Sequence, residues 1–175
     1  MIEKLRSNYK LSSVLIRIAL VLSYVLYSWQ TSLSVVALMV EQLSLASISY
    51  SVLLAVMTSA VLGVIIMLIT PLISNVFIHY SRFYTVPRAE YSLLVMLYFA
   101  LFFVVCGVLK LINLVTPLLL VWGGVLFPVI VSLGCIIWFY SVTAKLYFNN
   151  QTKVYYFRNL ALTYLVLIIV AEVLL

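Results

Sequence analysis

The charged residues of this chain are few and clumped, and nothing else constrains its fold as strongly. Ten Lys or Arg and four acidic residues are all that occur in 175 positions. The acids are Glu3, Glu41, Glu90 and Glu172; there is no Asp. Long apolar runs separate the clumps. Charges confined to short connectors mark a chain whose solvent is mostly lipid, because a charged side chain at bilayer depth is costly. The hydrophobic fraction of 67% agrees with this, since soluble domains are about half apolar.

A hydrocarbon core about 30 Å thick takes roughly 20 apolar residues per helix. Five such runs can be read, at about 14–31, 51–77, 91–112, 116–142 and 159–175. The expected fold is an all-α, polytopic transmembrane helical bundle of about five spans, forming a single domain over residues 1–175. Segment 32–50 is more polar and carries Glu41 and Gln42, with Leu33, Val36, Val40 and Leu43 at about helical spacing. It reads as an interfacial helix, an extension of the first helix, or a sixth span.

Charge decides between five and six. With a cytoplasmic N-terminus, five spans place Lys4, Arg6, Lys10, Arg82, Arg88, Lys145, Lys153 and Arg158 on the cytoplasmic side, as the positive-inside rule requires. Arg17 lies close enough to that side to snorkel back. Only Lys110 remains opposite, and the C-terminus falls on the outer side. A basic start followed by an apolar run also resembles a signal peptide. No small-x-small cleavage site follows it cleanly and the next residues continue apolar, so an uncleaved first span is expected. The simplest location is a bacterial plasma membrane, with an organellar membrane as the alternative.

The net charge of +6 does not point to nucleic acid, because the basic residues are divided among several loops instead of lining one face. Cys106 and Cys135 both sit inside apolar runs, where a thiol packs as a small hydrophobe. His79 is the only histidine, too few for a usual zinc site. No HExxH, GxSxG or GxxxxGK[ST] pattern occurs. No cofactor, metal or catalytic constellation is therefore expected. Asn150-Gln151-Thr152 matches a glycosylation sequon, but its loop is expected on the cytoplasmic side, and it reads as chance.

Three groups of residues carry the remaining information. Ala55, Ser59 and Gly63 recur at four-residue steps, placing small side chains on one helix face where a second backbone can approach. That face serves packing within the bundle or a seam between copies. Gly123, Gly124 and Pro128 weaken the fourth span, since Pro128 removes a backbone donor and crowds the preceding turn. They mark a plain kink or a helix broken for transport. Arg82, Arg88, Lys145, Lys153 and Arg158, interleaved with Tyr147, Phe148, Tyr155, Tyr156 and Phe157, have the composition of a membrane–water boundary in contact with lipid head groups.

The five-span thread, and the region 128–175 with a helix ending near Trp138, a polar connector holding Lys145 and a closing apolar helix, resemble the Yip1 family of small membrane proteins. The resemblance covers the last third in pattern and the rest in topology. The Asp-Leu-Tyr-Gly-Pro type motif of the family's eukaryotic branch is absent, so no role with trafficking GTPases carries over. The expected function is that of a non-enzymatic integral membrane protein, an accessory, scaffold or assembly partner in the lipid bilayer, working with a membrane-protein partner or a second copy. The alternative is a small-solute transporter or the membrane-embedded substrate-binding subunit of one.

Overall fold

A computed structural model describes residues 9–42, 48–115, 120–149 and 152–163. These residues form α1 (Tyr9–Gln42), α2 (Ile48–Tyr80), α3 (Arg88–Val115), α4 (Leu120–Tyr147) and α5 (152–163). No strand occurs among them. Among the described residues four stretches are long and apolar enough to cross a membrane: Leu11–Trp29, Val52–Tyr80, Arg88–Ile112 and Ile130–Tyr147. Helices of this kind suit lipid, because every backbone N–H and C=O finds its partner inside the segment.

Polar side chains within these helices satisfy themselves in the same way. Ser28 donates to the Tyr24 carbonyl at 2.8 Å, Thr58 to Leu54 at 2.6 Å and Thr163 to Asn159 at 2.8 Å. Such back-bonding hides a hydroxyl from lipid without a partner helix. Pro71 lies inside α2 and removes one backbone donor there. The neighbouring Thr70 and Ser74 hydroxyls bond back to Ile66 and Thr70 at 2.7 and 2.8 Å.

Side-chain contacts set the directions of the helices. Tyr24 of α1 meets Phe103 of α3 edge-on at 5.1 Å, and Ile16 and Leu20 pack with Leu93, Met96 and Ala100. Helices α1 and α3 therefore run parallel. Phe77, near the end of α2, stacks on Tyr91, near the start of α3, at 5.9 Å, so those two are antiparallel. Tyr147 at the end of α4 donates to Glu90 Oε2 at the start of α3, 3.2 Å away, and α4 returns antiparallel to α3. Helix α1 lies against both α2 and α3, while α4 packs on α3.

The first helix continues without interruption through residues 32–42. Its 34 residues make it about 50 Å long, more than a hydrocarbon core needs. The connector between the second and third spans is shorter than expected. Instead of 78–90 it occupies residues 81–87, and Ile78 is 1% exposed. The reason lies in the helix end. Phe83 N–H bonds to the Ile78 carbonyl at 3.1 Å and Arg82 N–H to the His79 carbonyl at 3.2 Å. This is a Schellman cap, which extends α2 by a turn and folds Phe83 back over its last residues.

Candidate functional site

The basic end of the bundle gathers most of the residues singled out above. Arg82 sits at the residue after the α2 cap with φ of 56°. That left-handed position normally belongs to glycine and costs a side chain about 1 kcal/mol. Arg82, Arg88, Lys145 and Arg158 are exposed, and Lys153 is half-buried. Arg158 lies over the Tyr155 ring, 5.4 Å from its centre. His79 is exposed and meets Tyr84 edge-on at 6.0 Å. The Pro87 carbonyl accepts from Tyr91 N–H at 3.0 Å and starts α3; the Asn149 carbonyl accepts from Thr152 and Lys153 N–H, both at 3.0 Å, and starts α5.

The aromatic residues at the end of α4 and the start of α5 differ in exposure, Tyr147 being half-buried. Tyr155 and Phe157 are exposed, as interface residues would be. Tyr156 and Phe148 are core. Tyr156 is 0% exposed, stacked on Phe148 at 4.3 Å and on Tyr140 at 5.8 Å, with the Phe77 and Phe83 rings edge-on to it. It pins the start of α5 where α2, α3 and α4 converge.

Its hydroxyl is held in a directed chain. Thr143 Oγ1 donates to the Phe139 carbonyl at 2.7 Å, which uses its only proton. The 2.7 Å contact between Tyr156 and Thr143 therefore has Tyr156 as donor. Tyr91, whose hydroxyl lies 3.4 Å from that of Tyr156, then donates to Tyr156. Burial pushes the Tyr156 hydroxyl up to about 12. At neutral pH the chain of hydroxyls stays protonated and acts as a structural tie.

The small-residue face of α2 is filled from within the chain. Ala55, Ser59 and Gly63 are all buried. A Cβ at Gly63 would lie 3.3 Å from the Val21 carbonyl oxygen and 3.4 Å from its Cα, so the α1 backbone occupies this face. Seven residues beyond Gly63, two turns along the same side of α2, Thr70 is buried, and Ser74 follows it one turn later; neither falls on the four-residue steps from Ala55. On the other side of α1, a Cβ at Gly107 would meet Leu26 Cγ at 3.0 Å and the Tyr27 N at 3.2 Å. Helix α1 is thus wedged between two glycine contacts. Gly107 has Phe103 and Leu111 four residues to either side, so no four-residue stride of small residues flags it.

Lys110 also turns toward α1. Its ammonium donates to the Tyr27 carbonyl at 3.3 Å and lies 3.9 Å from the Tyr27 ring centre. Helical side chains lean toward the N-terminus of their own helix, which for α3 means inward from the far end. The Tyr27 ring and carbonyl satisfy the cation there.

Helix α4 is α-helical without interruption from Leu120 to Tyr147, through Gly123, Gly124 and Pro128; the side-chain surroundings of these three lie outside the described residues. Gly134 differs from Gly63 and Gly107, because a Cβ there would meet nothing within 4 Å. Cys106 is buried, Cys135 is half-buried, and both are free thiols. Among the described residues, no three His, Cys, Asp or Glu side chains come together as a metal site.

Four long apolar helices in one bundle define a membrane-embedded helical protein. No protein-family model matches the chain, and neither a characterised protein nor a solved structure matches it.

Proposed function

We propose that this chain is a non-enzymatic integral membrane protein that serves as an accessory, scaffold or assembly partner within the bilayer. One observation carries the reading, the open flank of α4. Of the glycine faces described, those at Gly63 and Gly107 are filled by α1, whereas that at Gly134 is empty. Ile130, Leu133 and Ile137 flank it and are exposed. A glycine on an aliphatic helix face lets another backbone approach closely, which is how helices associate in lipid. The partner is a second membrane protein or a second copy. With Ala55, Ser59 and Gly63 already occupied by α1, a seam between copies falls on α4.

In this reading the chain crosses the membrane five times, with a cytoplasmic N-terminus and basic end and an outer C-terminus, in a bacterial plasma membrane. The Yip1-like pattern implies the same thread and brings no catalytic residue with it. Transport keeps only Gly123, Gly124 and Pro128 in its favour, across which α4 remains helical.

Purification from native membranes in mild detergent tests the reading. The wild-type chain is expected to carry a stoichiometric partner or to run as a defined oligomer. Gly134→Leu is expected to lose that companion while the melting temperature of the isolated chain is kept or rises, since the added side chain meets open space and favours the helix. A solitary monomer in every preparation refutes the proposal.

A further inference from the structure

Arg17 stands apart from the other cations of the basic end. It lies six residues inside the apolar stretch that begins at Leu11, about 9 Å along the axis. The neighbouring helix gives a second gauge. Because α1 and α3 run parallel, with Tyr24 beside Phe103 and Leu26 beside Gly107, Arg17 is level with about Leu97. Arg88 at the start of α3 is about 13 Å lower.

At that depth Arg17 is exposed, with Val14 three residues before it on the same side of α1 and Ile18 next to it, both about half exposed; Leu15 and Leu22 are exposed farther round the helix. Arg17 borders the face that α1 turns to its neighbours, since Ser13 at i−4 and Leu20 at i+3 are buried, and its own side chain is on the exposed rim of that face. Glu90 is the one carboxylate whose side chain is described; it accepts from Tyr147, on the α3–α4 side of the bundle. Among the described residues Arg17 has no ion-pair or hydrogen-bond partner.

Helix direction decides where its guanidinium goes. A helical side chain leans toward its own N-terminus, and for α1 that is the basic end. Arg17 therefore reaches back toward head-group level past Val14, the geometry of a snorkelling cation. The partner that meets it there has to be anionic and attached to acyl chains. A guanidinium pairs with phosphate through two parallel hydrogen bonds, more strongly than an ammonium does. Arg82 and Arg88, exposed at the boundary, add an attraction for acidic head groups over zwitterionic ones.

We propose that Arg17 binds the phosphate of an anionic phospholipid whose acyl chains lie against Val14 and Ile18. The proposal rests on the membrane-spanning reading of α1 and not on the partner proposed for α4.

The protein, reconstituted in bilayers of equal phosphatidylglycerol and phosphatidylcholine, is extracted and its retained lipid counted by native mass spectrometry. The wild type is expected to keep phosphatidylglycerol over phosphatidylcholine by about tenfold, the scale of one charge-assisted pair. Arg17→Leu is expected to abolish that preference, and Arg17→Lys to keep part of it. Should Arg17→Leu fail to express, Arg17→Gln carries the same expectation. Arg88→Leu is expected to leave most of the preference intact. In parallel, phosphatidylglycerol is expected to raise the melting temperature of the wild type and not of Arg17→Leu, while inorganic phosphate added to phosphatidylcholine bilayers has no effect. An unchanged preference in Arg17→Leu overturns the proposal. So does equal retention of both lipids by the wild type, equal loss in Arg88→Leu, or a shift reproduced by inorganic phosphate alone. A solitary monomer that still shows the Arg17-dependent preference removes the assembly reading and leaves this one standing.

Discussion

Three glycines on three helices give a graded test of how α1 is held. Replacing a helical glycine by alanine favours the helix by about 1 kcal/mol wherever it occurs, so differences among the three report the contact alone. At Gly134 the new methyl meets nothing within 4 Å, and the full gain of about 1 kcal/mol should appear as stabilisation. At Gly63 the methyl would sit 3.3–3.4 Å from Val21, which requires a shift of a few tenths of an ångström. Its cost offsets most of the gain, and Gly63→Ala should be close to neutral. At Gly107 the methyl would approach Leu26 Cγ at 3.0 Å and backbone atoms of Leu26 and Tyr27 at 3.2 Å. Backbone cannot rotate away, so α1 has to move off α3, at the usual overpacking cost of about 1–3 kcal/mol. The same movement lengthens the bond from Lys110 to the Tyr27 carbonyl, now 3.3 Å. Unfolding in titrated denaturing detergent, followed by far-ultraviolet circular dichroism, ranks the variants. The expected order is Gly134→Ala above wild type, Gly63→Ala level with it and Gly107→Ala below. Equal effects at all three, or a stabilised Gly107→Ala, would refute the wedge of α1 between α2 and α3.

Two further perturbations act at the basic end. Arg82→Gly places at φ of 56° the residue that adopts it without strain, and should raise stability by about 1 kcal/mol in the same unfolding assay; a loss would show that the Arg82 side chain outweighs its backbone. Tyr156→Phe removes the donor to Thr143 and the acceptor for Tyr91, and should cost about 1–3 kcal/mol at neutral pH. It should also change the alkaline response. Burial raises the Tyr156 hydroxyl from 10.0 to about 12 in the folded chain, so its contribution is complete below pH 10.0 and is lost as pH climbs to about 12. Wild-type stability should fall through that window more steeply than that of Tyr156→Phe; parallel curves would remove Tyr156 from the alkaline transition.

The helices were legible in the sequence because lipid leaves a chain few alternatives: long apolar runs bounded by Arg82, Arg88, Lys145 and Lys153 could hardly be anything else. The small-residue stride was legible from Ala55 to Gly63, since spacing on a helix fixes which residues share a face. What that face touches was not, because spacing on α2 carries no information about Val21. The connectors were read less well. The apolar run ends at Phe77 and polar residues follow Ile78, yet a cap at Arg82, formed without glycine, carries the helix past both. Tyr155 and Tyr156 are identical to any reading by composition, yet one is 57% exposed and the other 0%. Only the convergence of α2, α3 and α4 separates them, and that is a property of tertiary packing.

The central claim is that the clumped charges mark one face of a membrane crossed by an odd number of helices. Labelling with a membrane-impermeant thiol reagent tests this most directly, in a background with Cys106 and Cys135 replaced by Ala. Single cysteines are placed at Tyr84, in the basic connector, and at the C-terminal Leu175. On intact cells the account predicts labelling at position 175 and none at 84, with 84 reacting once the membrane is opened. Labelling of both positions from the same side would contradict it.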